Sequence, residues 1–201
     1  MARRGDEGVL LTPQPLAATF RREGDYWVIG YKGPAFRLKD RIGLQYLAVL
    51  LRNPGREFLA IDLVAGVRGR GEPDELHALG GGEPYFDEHT RREYAQRLRD
   101  LHEALEEAQG FNDRERASRT QAEIDVITDE LQRGIGLGHR IRASGSPVER
   151  ARVSVTLVIK RALRAIAKND AELGHYLAAT VRTGTFCSYS SDPRIPVRWQ
   201  S

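Results

Sequence analysis

Between Ser146 and Lys168 the chain carries six Lys/Arg residues and one acid, Glu149, a net charge of +5. Arg150, Ser154, Arg161, Arg164 and Lys168 recur at the spacing of one helical face, with Arg152 and Lys160 close by. Val155, Ile159, Ala162 and Ile166 recur at the same period on another face. A helix patterned this way docks its apolar side on a core and offers cations to an anion.

The other side chains that could do chemistry are scattered. His77, His89, His102, His139 and His175 show no metal-ligand spacing. Cys187 falls in a predicted strand, with His175 the nearest histidine in sequence. It is either half of a Cys–His nucleophile or a half-buried structural cysteine, and the second is the commoner case. One cysteine excludes an internal disulfide and any multi-cysteine metal site. The alternating glycines of 134–142, beside His139, Arg140 and Arg142, could form a backbone nest for phosphate. They lack the Lys-Ser/Thr of a P-loop and no buried strand precedes them, so a plain linker is the commoner outcome. No enzymatic constellation, cofactor motif or metal site is expected.

The basic helix needs elements to hold it. Ser146 can cap its first turn, Pro147 suits the first helical position, and Glu149 completes a capping box. A shorter helix, Ala171 to Thr180, should follow, and then a β-rich tail from Thr180 to Tyr189. Upstream, residues 1–17 read as irregular, broken by Pro13 and Pro15. From Ala18 to Leu38, aromatic and β-branched residues punctuated by Glu23-Gly24-Asp25 and Lys32-Gly33-Pro34 predict a small antiparallel sheet. Tyr26 and Trp27 are expected in the core. Asp40 should cap a helix from Arg41 to about Arg52, buried through Leu44, Leu47, Ala48 and Leu51. Asn53-Pro54-Gly55 should end it, with a second short helix from Ala60 to about Val67.

Residues 68–86 read as a flexible linker and 134–146 as a Gly-rich one. Between them, 87–133 differ in kind. Tyr94, Leu98, Leu101, Leu105 and Ala108 keep helical spacing, Gly110–Asp113 interrupts, and Ala117, Ile124, Ile127 and Leu131 resume it. This predicts an antiparallel α-hairpin or short coiled coil. With 8 Arg against 13 Asp/Glu, its net charge is −5, so it is unsuited to gripping DNA.

The 201 residues allow one domain with an insertion. A hydrophobic content of 40% permits a core, and 29% charged residues suit a soluble, helix-rich protein. The net charge of +3 says less about partners than its distribution does. No apolar run approaches a membrane span, and no apolar region follows Arg3-Arg4, so neither membrane nor signal peptide is expected. A cytoplasmic setting is expected.

Without the acidic hairpin, the order is sheet, helix, Asn-Pro-Gly turn, helix, basic helix and β-hairpin. That order resembles the winged helix-turn-helix, in particular the OmpR/PhoB-type output domain of bacterial response regulators. Leu47 to Phe58, followed by Asp62-Leu63, is similar to that family's first helix, its turn and the entry to its second helix. Ile159-Lys-Arg-Ala-Leu-Arg-Ala-Ile166 is similar to the end of its recognition helix. Thr180-Val-Arg-Thr-Gly-Thr-Phe186 resembles its wing, which reads Thr-Val-Arg-Gly-x-Gly-Tyr. The likeness covers about 18–67 and 147–190. A whole-length likeness is to C-terminal regions of large bacterial ATPase-and-repeat regulators. The departures are the long insertion, the wing glycines replaced at 183 and 185 with Gly184 gained, and a tail from Ser190 to Ser201 past the usual end.

The resemblance implies an α+β, mainly helical fold: a discontinuous winged-helix domain (18–67 and 147–201) interrupted by the hairpin. It implies a DNA-binding transcriptional regulator with the basic helix in the major groove of double-stranded DNA. Arg150, Arg152, Ser154, Lys160, Arg161 and Arg164 are then the contact candidates. Arginine can fork onto guanine edges, while Lys or Ser more often meets phosphate. Arg182 in the wing, with Arg194 or Arg198 in the tail, would reach the backbone or minor groove. The alternative is an interaction module in which the winged helix is a scaffold and 87–133 binds a partner or a second copy. A third expectation follows from opposite charges: the arm folds over the basic face and competes with DNA.

Overall fold

A computed structural model describes residues 16–69, 87–134 and 147–200. The two linkers, apart from Arg68, Gly69 and Gly134, lie outside them. So do the proposed Ser146 cap, the glycine nest and the first fifteen residues. The fold is α+β and mainly helical, with six helices and seven strands among the described residues.

Three strands, β1 (Leu16–Glu23), β2 (Tyr26–Gly30) and β3 (Phe36–Lys39), form an antiparallel meander. Gly24 stands at φ +58°, which lets a two-residue turn join β1 to β2. Alternation buries Ala18, Phe20, Trp27 and Ile29 on one face. Tyr26, expected in the core, points outward and is 49% exposed, because it falls on the other phase of the pleat from Trp27. The expected antiparallel sheet gains a fourth, parallel member. The tail forms β7 (Val197–Gln200), which pairs with β1 in register Leu16↔Val197. The strand order is β3-β2-β1-β7. Strand β1 therefore starts at Leu16, inside the segment expected to be irregular.

Helix α1 (Ile42–Arg52) runs through the middle of the core. Tyr46, Val49 and Leu50 are buried along with Leu44, Leu47, Ala48 and Leu51, so it is covered nearly all round rather than on one face. Asp40 does not cap it. The cap position is Arg41, without a side-chain cap bond. The Asp40 carboxylate instead accepts Trp27 Nε1 at 2.7 Å and Gln45 Nε2 at 2.8 Å and meets Arg22 at 3.0 Å. A buried indole N–H demands a partner, and that demand wins over capping. At the far end, Gly55 takes φ +78° and donates its N–H to Tyr189 O at 2.7 Å.

Strand β4 (Phe58–Leu59) leads into α2 (Ala60–Gly69). Helices α3 (Glu88–Gly110) and α4 (Arg114–Gly134) form the hairpin. Asp87 caps α3 by accepting Thr90 N at 2.8 Å, and Asp113 accepts Arg116 N at 3.0 Å to start α4. Ala95, Leu98, Leu101, Ile124, Ile127 and Leu131 bury its seam, and the hairpin closes on Leu59 and Phe186 as well. Helix α5 (Pro147–Ala167) packs on α1, α2 and α6 (Ala171–Thr180). Strands β5 (Val181–Arg182) and β6 (Phe186–Tyr189) form an antiparallel pair, and β4 joins β6 on its other side. The tail is tied to this unit: Trp199 Nε1 donates to Tyr189 Oη at 3.0 Å, and Tyr189 Oη lies 2.9 Å from Tyr176 Oη.

Candidate functional site

Helix α5 is held by Val148, Ala151, Val155, Ile159, Ala162 and Ile166, which are buried. The opposite face is free of acids: from Arg150 to Lys168 the sequence contains no Asp or Glu. Arg150, Ser154, Arg161 and Arg164 are exposed there, as the periodicity predicts, and Lys160 is exposed at the edge of that face. Arg164 Nε donates to Lys160 O at 3.3 Å, which lays its side chain along the helix surface. Lys168, just past the helix end, is also exposed.

Arg152 sits elsewhere. At about 100° per residue it points roughly 160° from the Arg150 direction. It is half-buried and grips Glu149 through Nε–Oε2 at 2.7 Å and Nη2–Oε1 at 2.5 Å. The hydrogen bond to Glu149 holds its guanidinium charged above the ordinary value. Arg152 therefore does not share the outer face with Arg150, Arg161 and Arg164, and both carboxylate oxygens of Glu149 accept from it.

Arg152 and Thr156, with Lys160 at the edge of the outer face, line a groove of about 370 Å³ between α5, α3 and the β5–β6 turn. Arg182, exposed on β5, reaches the same groove. The structure thus brings Lys160 and Arg182 together. Arg198 belongs to the four-stranded sheet and Arg194 to the loop before it; both are exposed. In the β5–β6 turn, Thr185 is buried, and its carbonyl accepts Ala60 N at 2.9 Å.

The acidic hairpin forms the far wall of the groove with Arg99, His102, Glu103 and Glu106. It is fastened below the groove rather than across the basic face. Leu98 packs in one cluster with Leu59 and Phe186, Arg99 Nη1 meets Glu57 Oε1 at 3.0 Å, and Arg91 meets Asp62 at 3.7 Å. Arg150, Arg161 and Arg164 keep their exposure, so the expected folding of the arm over that face is not what the structure has.

Two residues of the outer face were not among the candidates. Val153 and Leu157 are 51% and 43% exposed beside Arg150, Ser154 and Arg161. Their spacing from Arg150, three and seven residues, is the signal that places them there. Cys187 is fully buried, and desolvation pushes its thiol up to about 12, so it carries no thiolate at neutral pH. Among the described residues no cluster of three His, Cys, Asp or Glu could hold a metal, and no helix is long and apolar enough to cross a membrane.

Comparison with known proteins finds no matching family, no matching curated protein and no matching solved structure.

Proposed function

We propose that this chain is a DNA-binding module of the winged helix-turn-helix kind, the output part of a transcriptional regulator. Helix α1, the Asn53–Gly55 turn and α2 frame α5, which enters the major groove, while the β5–β6 hairpin touches the backbone through Arg182. The observation that carries this is the outer face of α5: exposed Arg150, Lys160, Arg161 and Arg164 with no carboxylate among them. Such a face attracts a polyanion. A helix of this length projects its side chains across a major groove about 12 Å wide. Fluorescence anisotropy with a mixed-sequence duplex at low salt tests it. Wild-type binding that weakens roughly tenfold or more in the Arg161→Ala, Arg164→Ala double variant supports the proposal. A folded protein that binds no duplex overturns it.

A second reading rests on the arm. Phe111 at the tip of the hairpin is 78% exposed and Val126 on α4 is 62% exposed, on an acidic and otherwise solvated element. These suit an interaction module in which 87–133 docks on a partner or pairs with a second copy. Analytical ultracentrifugation of the wild type and of Phe111→Ser with Val126→Ser tests the self-pairing form. A dimer lost in the double variant supports it, and a monomer throughout removes it.

A further inference from the structure

Val153 and Leu157 are exposed aliphatic side chains one helical turn apart on a face otherwise made of cations and a serine. The core does not use them, since α5 is anchored by its opposite side. Leaving two such side chains in water forgoes the free energy that burial returns. At about 1.5 Å per residue, Arg150 and Arg161 stand roughly 16 Å apart along the axis, with Val153 and Leu157 between them. The apolar pair thus lies between Arg150 on one side and Arg161 and Arg164 on the other.

Resting on the DNA-binding function proposed above, we propose that Val153 and Leu157 are the specificity-determining contacts, reading thymine C5-methyl groups in the major groove. The thymine methyl is the apolar group that unmodified base pairs present there, and an aliphatic side chain meets it without losing a hydrogen bond. The surrounding positive charge, with no Asp or Glu between Arg150 and Lys168, favours a duplex over an apolar protein partner as the occupant. The preferred site then has thymines at its centre, flanked by positions that the arginines reach through base edges or phosphates. The arginines supply attraction; the aliphatic pair supplies the choice.

The test uses a duplex selected from a random pool by the full chain, followed by anisotropy titrations of that duplex with its central thymines replaced by deoxyuridine. Uracil pairs as thymine does and lacks only the methyl. We expect each lost methyl to weaken binding roughly fourfold, and Val153→Ala with Leu157→Ala to bind thymine and uracil duplexes alike. Both residues are exposed, so the variant keeps its core, and Arg161→Ala serves as the control that weakens both duplexes equally. Tight binding with equal affinity for thymine and uracil duplexes overturns this inference and leaves DNA binding standing. A selection without central thymines overturns it in the same way. No binding to any duplex overturns the DNA-binding proposal and this inference with it.

Discussion

Gly43 on α1 lies against the backbone of Val158 on α5, so closely that a Cβ built on the glycine would stand 2.3 Å from the Val158 carbonyl oxygen. The two helices therefore meet backbone to backbone, and this contact fixes how far α5 stands out from the core. Gly174 plays the same part between α6 and α5, where a Cβ would come within 2.4 Å of Ala167 Cβ. Gly43→Ala is expected to destabilise the fold by about 1–3 kcal/mol through overpacking. Scanning calorimetry should show a lower Tm, and an unchanged Tm would mean that the helices separate freely.

Asp40 holds the N-terminal sheet to α1 by accepting the indole N–H of Trp27, which is fully buried. Asp40→Ala leaves that donor unpaired and is expected to cost about 1–3 kcal/mol in urea titrations. Trp27 fluorescence should change in the folded state, since its nearest polar neighbour is lost.

Stability should fall on the alkaline side. Burial pushes the Cys187 thiol from an ordinary 9.0 up to about 12, and burial also raises the Tyr176 phenol. Both groups stay protonated longer in the folded chain than in the unfolded one. Their contribution is fully present below pH 9 and is lost as the pH rises from there toward 12. Urea midpoints at pH 8 and pH 10.5 measure it, with the lower midpoint expected at 10.5. Cys187 should also resist alkylation at pH 8 until the chain unfolds.

Glu103 and Glu106 face the groove that Lys160 and Arg182 share. A phosphate approaching that flank meets two carboxylates. Glu103→Gln with Glu106→Gln is expected to tighten duplex binding roughly two- to fivefold at low salt, fading as salt screens the charges. Deleting the arm is a poorer experiment, because it strips the cover from Leu59 and Phe186, both buried in the hairpin's cluster.

What could be read from the sequence was whatever repeats within one element. The extent of α5, its buried positions and the seam of the hairpin all follow from periodicity. What could not be read depends on distant partners. Strand β7 is four residues after Pro196, and its partner β1 lies at the other end of the chain. The docking of α3 depends on Leu59 and Phe186, which belong to strands far apart in sequence. Arg152 looked like part of the basic face because it lies close in sequence, yet the helical angle turns it toward Glu149 and the groove. Asp40 had the right residue type and place for a cap, but Trp27 claims it.

The most direct measurement is the salt dependence of duplex binding by the full chain. If α5 and the β5–β6 hairpin neutralise about 4–6 phosphates, log K should fall against log salt with a slope of roughly −4 to −5. That slope should shrink by about one for each arginine removed from the outer face of α5. A flat salt dependence, or no binding in a folded protein at low salt, would contradict DNA recognition through α5.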